Sequence, residues 1–153
     1  MRRPLALCLV AVLAVACSKA EQKADSTPAA AATPPAAATP ALALTDLAGT
    51  WEAAVMPMDK DTVLFTATET NTATMDGWTM KLPNGETPKV KVVALEGDSV
   101  VTEAGPFKSQ LRKGQMVTTH AVARLKDGKL VTVLHAKYAN GDTATLRMVG
   151  TKK

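Results

Sequence analysis

From about residue 42 onwards, apolar and polar residues alternate with a period of two, which is the spacing of a half-buried β-strand. Trp51, Ala53 and Val55 fall on one face of such a strand, and threonine occupies every second position from Thr66 to Thr74. β-branched residues at this spacing suit a pleated sheet. Six further strands are predicted over 77–82, 88–96, 98–104, 115–126, 129–138 and 143–151. The pattern therefore predicts an all-β domain of eight strands.

Turn dipeptides separate these strands: Asp76-Gly77, Asn84-Gly85, Gly97-Asp98, Asp127-Gly128 and Asn140-Gly141. An Asx-Gly pair between alternating runs is a strong hairpin signal, because both central residues take positive φ. Sequential strands with tight turns favour an eight-stranded antiparallel up-and-down barrel, since closure removes exposed edges. A two-sheet sandwich and a half-open barrel are the alternatives. The longest interruption, 105–114, contains Pro106 and is interpreted as a short extra strand or a lid.

The hairpin around Asp127-Gly128 allows a prediction of register. A two-residue turn there places Lys126 opposite Lys129, and it places His120 opposite His135 on a charged outer face. The other face carries no charge and is predicted to point inward. Its residues include a possible lining for a ligand cavity, namely Ala121, Ala123, Leu134, Ala136 and Tyr138.

The Asn140-Gly141 turn gives a conflicting prediction. Treated as a two-residue turn, it sets Arg147 opposite Leu134 on the inward face and points Leu146 and Met148 outward. The inward assignment is taken from the 115–138 hairpin, whose two faces differ more sharply. Leu146 and Met148 exposed on the outer face would be typical of a protein-interaction surface.

The first 41 residues differ in composition from the rest. Arg2 and Arg3 precede an uncharged apolar run, 5–16, which is shorter than the ~20 residues of a membrane-spanning helix. A charged start followed by a short apolar run is typical of a cleaved secretory signal. The segment 17–41 is rich in Ala, Thr and Pro, which favours a disordered, extended tether. The predicted organisation is a signal peptide over 1–16, a tether over 17–41 and a β-barrel domain over 42–153.

The end of the signal segment, Leu13-Ala14-Val15-Ala16-Cys17, resembles the lipobox of bacterial lipoproteins. The resemblance implies that residues 1–16 are removed and that Cys17 is diacylated, with acyl chains such as palmitate. Because Ser18 is not Asp, it also implies an anchor in the outer membrane with the domain facing the periplasm. An ordinary signal peptide with an unmodified Cys17 is the alternative.

The run Thr45-Asp46-Leu47-Ala48-Gly49-Thr50-Trp51 resembles the start of a lipocalin-type barrel, where Gly-x-Trp opens the first strand. Gly49 and Trp51 match that motif. The resemblance implies that Trp51 closes one end of the barrel, that Arg147 packs over it, and that the barrel binds a small apolar ligand such as a fatty acyl chain. The alternative is a barrel filled by its own side chains, serving as a non-catalytic structural or protein-interaction module.

Charge and chemical motifs exclude several classes of function. The sequence has 18 Lys and Arg against 14 Asp and Glu, with no basic cluster that would predict nucleic-acid binding. Cys8 and Cys17 are the cysteines of the chain, so the domain is expected to have no disulfide. No nucleophile motif, phosphate loop or acid–base pair is found, so neither an enzyme nor a cofactor is predicted. His120 and His135 lack an evident third ligand, and they are interpreted as an incidental pair rather than a metal site.

Overall fold

The computed structural model describes residues 41–153, which form one helical turn and eight strands. The elements are α1 Leu44–Leu47, β1 Gly49–Pro57, β2 Phe65–Asn71, β3 Trp78–Lys81, β4 Lys89–Glu96, β5 Ser99–Lys108, β6 Met116–Lys126, β7 Lys129–Tyr138 and β8 Thr143–Lys152. Within this range no helix is long and apolar enough to cross a bilayer. The signal segment 1–16, Cys17 and residues 17–40 lie outside the described residues, so what was predicted for them stays a prediction.

Each strand pairs antiparallel with the next, and β8 pairs with β1 to close the barrel. The predicted eight-stranded up-and-down barrel is therefore confirmed. The run of alternating threonines continues beyond the strand, because β2 ends at Asn71 and Thr72 lies in the turn that follows. Strand β5 is longer than predicted: it passes through Gly105 and Pro106 with a register shift and ends at Lys108. The interruption predicted over 105–114 is thus reduced to the loop 109–115.

The two ends of the barrel differ. The closed end carries α1 and the turns 72–77, 97–98 and 127–128, and Leu42 reaches it through a hydrogen bond from its N–H to the Gly97 carbonyl at 2.9 Å. The open end carries the longer loops 58–64, 82–88, 109–115 and 139–142. The apolar interior forms two clusters, one toward each end. The N-terminal segment of the domain therefore lies at the closed end, and the open end is formed by loops.

The β6–β7 hairpin has the predicted register. Lys126 pairs with Lys129 and His120 with His135, and the two turn residues both have positive φ, 50° at Asp127 and 72° at Gly128. That backbone twist matches the twist of the flanking strands, so a two-residue turn is favoured. The predicted inward face is buried, as Ala121, Ala123, Leu134, Ala136 and Tyr138 are each less than a tenth exposed.

The β7–β8 register was predicted wrongly by one residue. The connection is a three-residue loop in which the Gly141 N–H donates to the Tyr138 carbonyl at 2.9 Å and Gly141 has a φ of 91°. This extra residue pairs Leu134 with Leu146 rather than with Arg147. Leu146 and Met148 are consequently buried in the barrel, and Arg147 lies on the outer face.

Candidate functional site

Trp51 seals the closed end, as the lipocalin resemblance implies. Its side chain is 1% exposed, and its indole N–H donates to the Leu47 carbonyl at 2.8 Å. A cation does cover the ring, but it is Lys152, whose Nζ lies 5.3 Å from the ring centroid. Gly49 begins β1 beside it, where a Cβ would lie 2.8 Å from Lys152 Cε. The closed end is thus held by an indole, a backbone carbonyl and a lysine from the last strand.

The prediction that Arg147 packs over Trp51 was wrong. Arg147 pairs with Met56, five positions along β1 from Trp51, and its side chain lies outside the barrel. Its guanidinium donates to the Pro57 and Lys60 carbonyls at 3.4 and 3.2 Å and forms an ion pair with Asp61. Arg147 therefore holds the loop 58–64 at the open end.

Beneath the open-end loops lies a partly open apolar cavity of about 40 Å³, here called the open-end chamber. Its strand residues come from seven of the eight strands, and the loop 109–115 covers it with Ser109, Gln110 and Leu111. The apolar side chains around it are Val55, Phe65, Met80, Leu82, Phe107, Val117, Leu134, Ala136, Tyr138, Leu146 and Met148. Such a lining offers a water molecule few hydrogen bonds, so the chamber favours an apolar occupant.

The loop 109–115 is fastened across the open end by Arg112. The Arg112 guanidinium lies 4.3 Å from the centroid of the Tyr138 ring and forms an ion pair with Asp142 in the next loop. Hydrogen bonds from the Asn140 amide and from Arg112 lower the pKa of the Asp142 carboxyl. The loop also buries side-chain atoms of Gln110 and Gln115 that find no partner within residues 41–153. Unpaired buried polar atoms destabilise this position of the loop, here called the lid, and the contacts of Arg112 oppose that cost.

A second cavity, of about 30 Å³, lies deeper, and five polar side chains among its mostly apolar lining are here called the polar layer. Its members come from four strands: Glu69 and Asn71 from β2, Thr102 from β5, Thr119 from β6 and Thr132 from β7. Met80, Leu134 and Met148 line both this cavity and the chamber above it. The carboxyl and amide groups of the interior therefore lie in the deeper cavity, and Thr119 lines both cavities.

Glu69 is the unusual member of the polar layer. Its neighbours across β1 and β3 are Trp51 and Met80, both buried, and Glu69 itself is partly exposed. Removal from water raises the pKa of Glu69 to about 7, and within residues 41–153 no cation or hydrogen-bond donor opposes that rise. When it is ionised, this carboxyl is a hydrogen-bond acceptor only.

Asn71 adds a second unpaired group. The residue is 5% exposed, and its Nδ2 finds no acceptor within residues 41–153. Thr119, by contrast, donates to the Ala104 carbonyl at 3.4 Å. Buried polar groups in folded proteins nearly always have partners, so the unpaired Asn71 Nδ2, which lines the same cavity as the Glu69 carboxyl, calls for an explanation.

The predicted lining residues divide between the two cavities. Leu134, Ala136 and Tyr138 line the open-end chamber, and Ala121 and Ala123, with Leu134 again, line the deeper cavity. Glu69 and Asn71 were not predicted as site residues, because the threonines of β2 are the conspicuous pattern in this strand. Those threonines occupy the outer face, and the alternate positions Phe65, Ala67, Glu69 and Asn71 point inward. The same alternation could have identified Glu69, had the inward face of β2 been known.

The histidine pair forms on the outer face as predicted. His120 and His135 lie opposite each other, and His135 Nδ1 is 3.2 Å from the Thr145 hydroxyl. Among the described residues, no group of three or more His, Cys, Asp or Glu side chains is placed to hold a metal ion. On the neighbouring strands, Thr145 lies opposite His135 and Glu103 lies opposite His120.

Comparison of the chain with known protein families, with curated proteins and with solved structures gave no significant match. What the site can do is therefore argued from its own geometry.

Proposed function

We propose that the barrel domain binds a small, largely apolar molecule, which enters at the open end and occupies the open-end chamber. The observation that supports this proposal is an apolar chamber roofed by a loop whose closure leaves buried glutamine atoms unpaired. A barrel that served only as a rigid module would be more stable with this space filled and this loop satisfied.

The size of the chamber limits the ligand. A volume of about 40 Å³ accommodates two or three water molecules, whereas pockets for drug-sized ligands measure roughly 300–1,000 Å³. Binding therefore requires the lid to lift and side chains to rearrange. Met80 and Met148 lie between the two cavities, and methionine repacks readily because it is unbranched and flexible. A short chain or a single ring fits this interior better than a long fatty acyl chain.

We further propose that the mature protein is a lipoprotein of the bacterial cell envelope, anchored through a lipid on Cys17 and exposed to the periplasm. The lipobox-like run before Cys17 supports this proposal. Mass spectrometry of the mature N-terminus tests it: a diacylated Cys17 as the first residue is expected. Cleavage at another position, or an unmodified cysteine, would exclude the anchor.

Ligand binding is tested with the neutral single-ring probe 4-fluorotoluene, followed by fluorine NMR and titrated into the full-length chain carrying Cys17→Ser so that no lipid is attached. We expect saturable binding that Ala136→Phe abolishes, because the larger side chain fills the chamber. Ala54→Phe is the matched control, since Ala54 pairs with Thr66 on the outer face of β1. Circular dichroism of both variants verifies that the barrel is folded.

Equal binding by both alanine variants would place the probe outside the barrel. Absence of binding to the parent chain would favour the alternative, a structural or interaction module. The specific surface expected for such a module is not formed, because Leu146 and Met148 are inside the barrel.

A further inference from the structure

The polar layer contains two groups with complementary hydrogen-bonding roles, one an acceptor and the other a donor. Glu69 offers acceptor oxygens to the deeper cavity, and Asn71 offers the unpaired Nδ2 donor. The two residues are two positions apart on β2 and line the same cavity of about 30 Å³. A single ligand group placed there could contact both side chains.

Burial of Asn71 without a partner is costly to the free protein. A polar group removed from water without a hydrogen bond destabilises the fold, and apolar side chains of similar size would avoid the penalty. Asn71 is 5% exposed, and the partly exposed Glu69 lies between Trp51 and Met80 of the neighbouring strands. A bound group that both donates and accepts would satisfy the two side chains at once.

We propose that the polar layer binds a hydroxyl group at the end of a small apolar molecule, with the hydroxyl donating to Glu69 and accepting from Asn71 Nδ2. This inference rests on the proposed function, because the apolar remainder of the ligand would lie in the open-end chamber. Met80, Leu134 and Met148 line both cavities, so a ligand that displaces them spans from the chamber to the polar layer.

Other head groups satisfy the polar layer less well. A carboxylate is an acceptor without a proton to donate, and it would be repelled by the Glu69 carboxylate. An ammonium group donates to Glu69 but leaves Asn71 Nδ2 unpaired. An ether oxygen accepts from Asn71 but cannot donate to Glu69. A hydroxyl group, with one donor and two acceptor positions, serves both residues.

The test compares four probes of matched length: n-octanol, heptyl methyl ether, octanoate and octylamine. Each is titrated into the full-length chain carrying Cys17→Ser and followed by NMR chemical shifts, at pH values below and above the Glu69 pKa. Above that pKa, where Glu69 is ionised and cannot donate, we expect n-octanol to bind about tenfold more tightly than each of the other three, since it gains two hydrogen bonds. Glu69→Leu and Asn71→Leu should each remove most of this preference and leave binding of the ether in place.

Glu103→Gln is the matched control, because Glu103 pairs with His120 and is exposed on the outer face. It should retain the preference for n-octanol, and thermal unfolding of every variant verifies the fold. Equal binding of all four probes would overturn the hydroxyl assignment while leaving apolar binding intact. Tightest binding of octylamine would overturn it in favour of an ammonium group. Binding of none of the four would overturn both this inference and the proposed function.

Discussion

Lys152 lies directly opposite Trp51 in the β1–β8 pair, and its Nζ stands 5.3 Å from the centroid of the indole. The pair closes the barrel at the point where its first and last strands meet. A cation over an indole face is attractive, and the indole N–H is already satisfied by Leu47. The first strand, the last strand and α1 are thereby joined at a single side chain.

Removing the indole should destabilise the domain strongly. Trp51→Ala is expected to lower the free energy of unfolding by about 3–5 kcal/mol, because it leaves a large cavity in the closed-end cluster. Lys152→Ala should lower it by only about 0.5–1 kcal/mol, since that cation–π contact is near the surface. Urea denaturation of both variants measures the difference. Arg147→Ala tests where Arg147 lies. A loss of unfolding free energy as large as that of Trp51→Ala would contradict the placement of Arg147 outside the barrel.

The raised pKa of Glu69 predicts that stability falls as pH rises. Below the ordinary carboxyl pKa of ~4.3, Glu69 is protonated in both states and has no effect. Between there and about 7 the unfolded chain loses the proton while the folded chain keeps it, which favours unfolding by up to about 3 kcal/mol. Above about 7 the effect is constant.

This dependence is measured by urea denaturation across that pH range in the parent chain and in Glu69→Gln. The amide cannot ionise, so the variant should lose the Glu69 contribution and be the more stable protein above pH 7. Glu103→Gln, on the outer face, should follow the parent. An identical pH profile in the parent and in Glu69→Gln would show that the Glu69 carboxyl is not desolvated.

The lid depends on Arg112 through Tyr138 and Asp142. Arg112→Ala should therefore increase hydrogen exchange of amides in 109–115 by about tenfold, a change of about 1.4 kcal/mol in local opening, while exchange in β6 and β7 stays the same. Lys113→Ala, an exposed neighbour in the same loop, is the control. Hydrogen–deuterium exchange with mass spectrometry resolves the segments. Unchanged exchange in 109–115 would show that other contacts hold the lid.

Gly105 is required where β5 shifts register. Its φ is 116°, and a Cβ would stand 2.7 Å from the Val117 carbonyl oxygen and 3.0 Å from Thr118 Cα. Backbone atoms cannot move aside as a side-chain end can, so Gly105→Ala should destabilise the domain by about 1–3 kcal/mol. Gly114→Ala also has a positive φ but open space around the Cβ, so it should cost less. Thermal unfolding of the two variants compares them, and equal losses would mean that backbone conformation rather than crowding sets the requirement.

Much of the fold was determined by local sequence. Alternation at period two placed the strands, and Asp127-Gly128 fixed the β6–β7 register because both residues take the positive φ of a two-residue turn. Pairing of Lys126 with Lys129 then assigned every residue of that hairpin to a face. Such features depend on a few neighbouring residues, which is why the sequence by itself was sufficient for them.

The interior was decided by the tertiary structure. Asn140-Gly141 has the same chemistry as Asp127-Gly128, yet its loop has one more residue, which moved Arg147 outside and Leu146 inside. In β2, alternation separated a threonine face from a face containing Glu69 and Asn71, but it could not say which face points inward. Barrel closure made that choice, because each strand must match the inward faces of both its neighbours at once. It thereby placed the Glu69 carboxyl and the Asn71 amide against the inner cavity, which local sequence left undetermined.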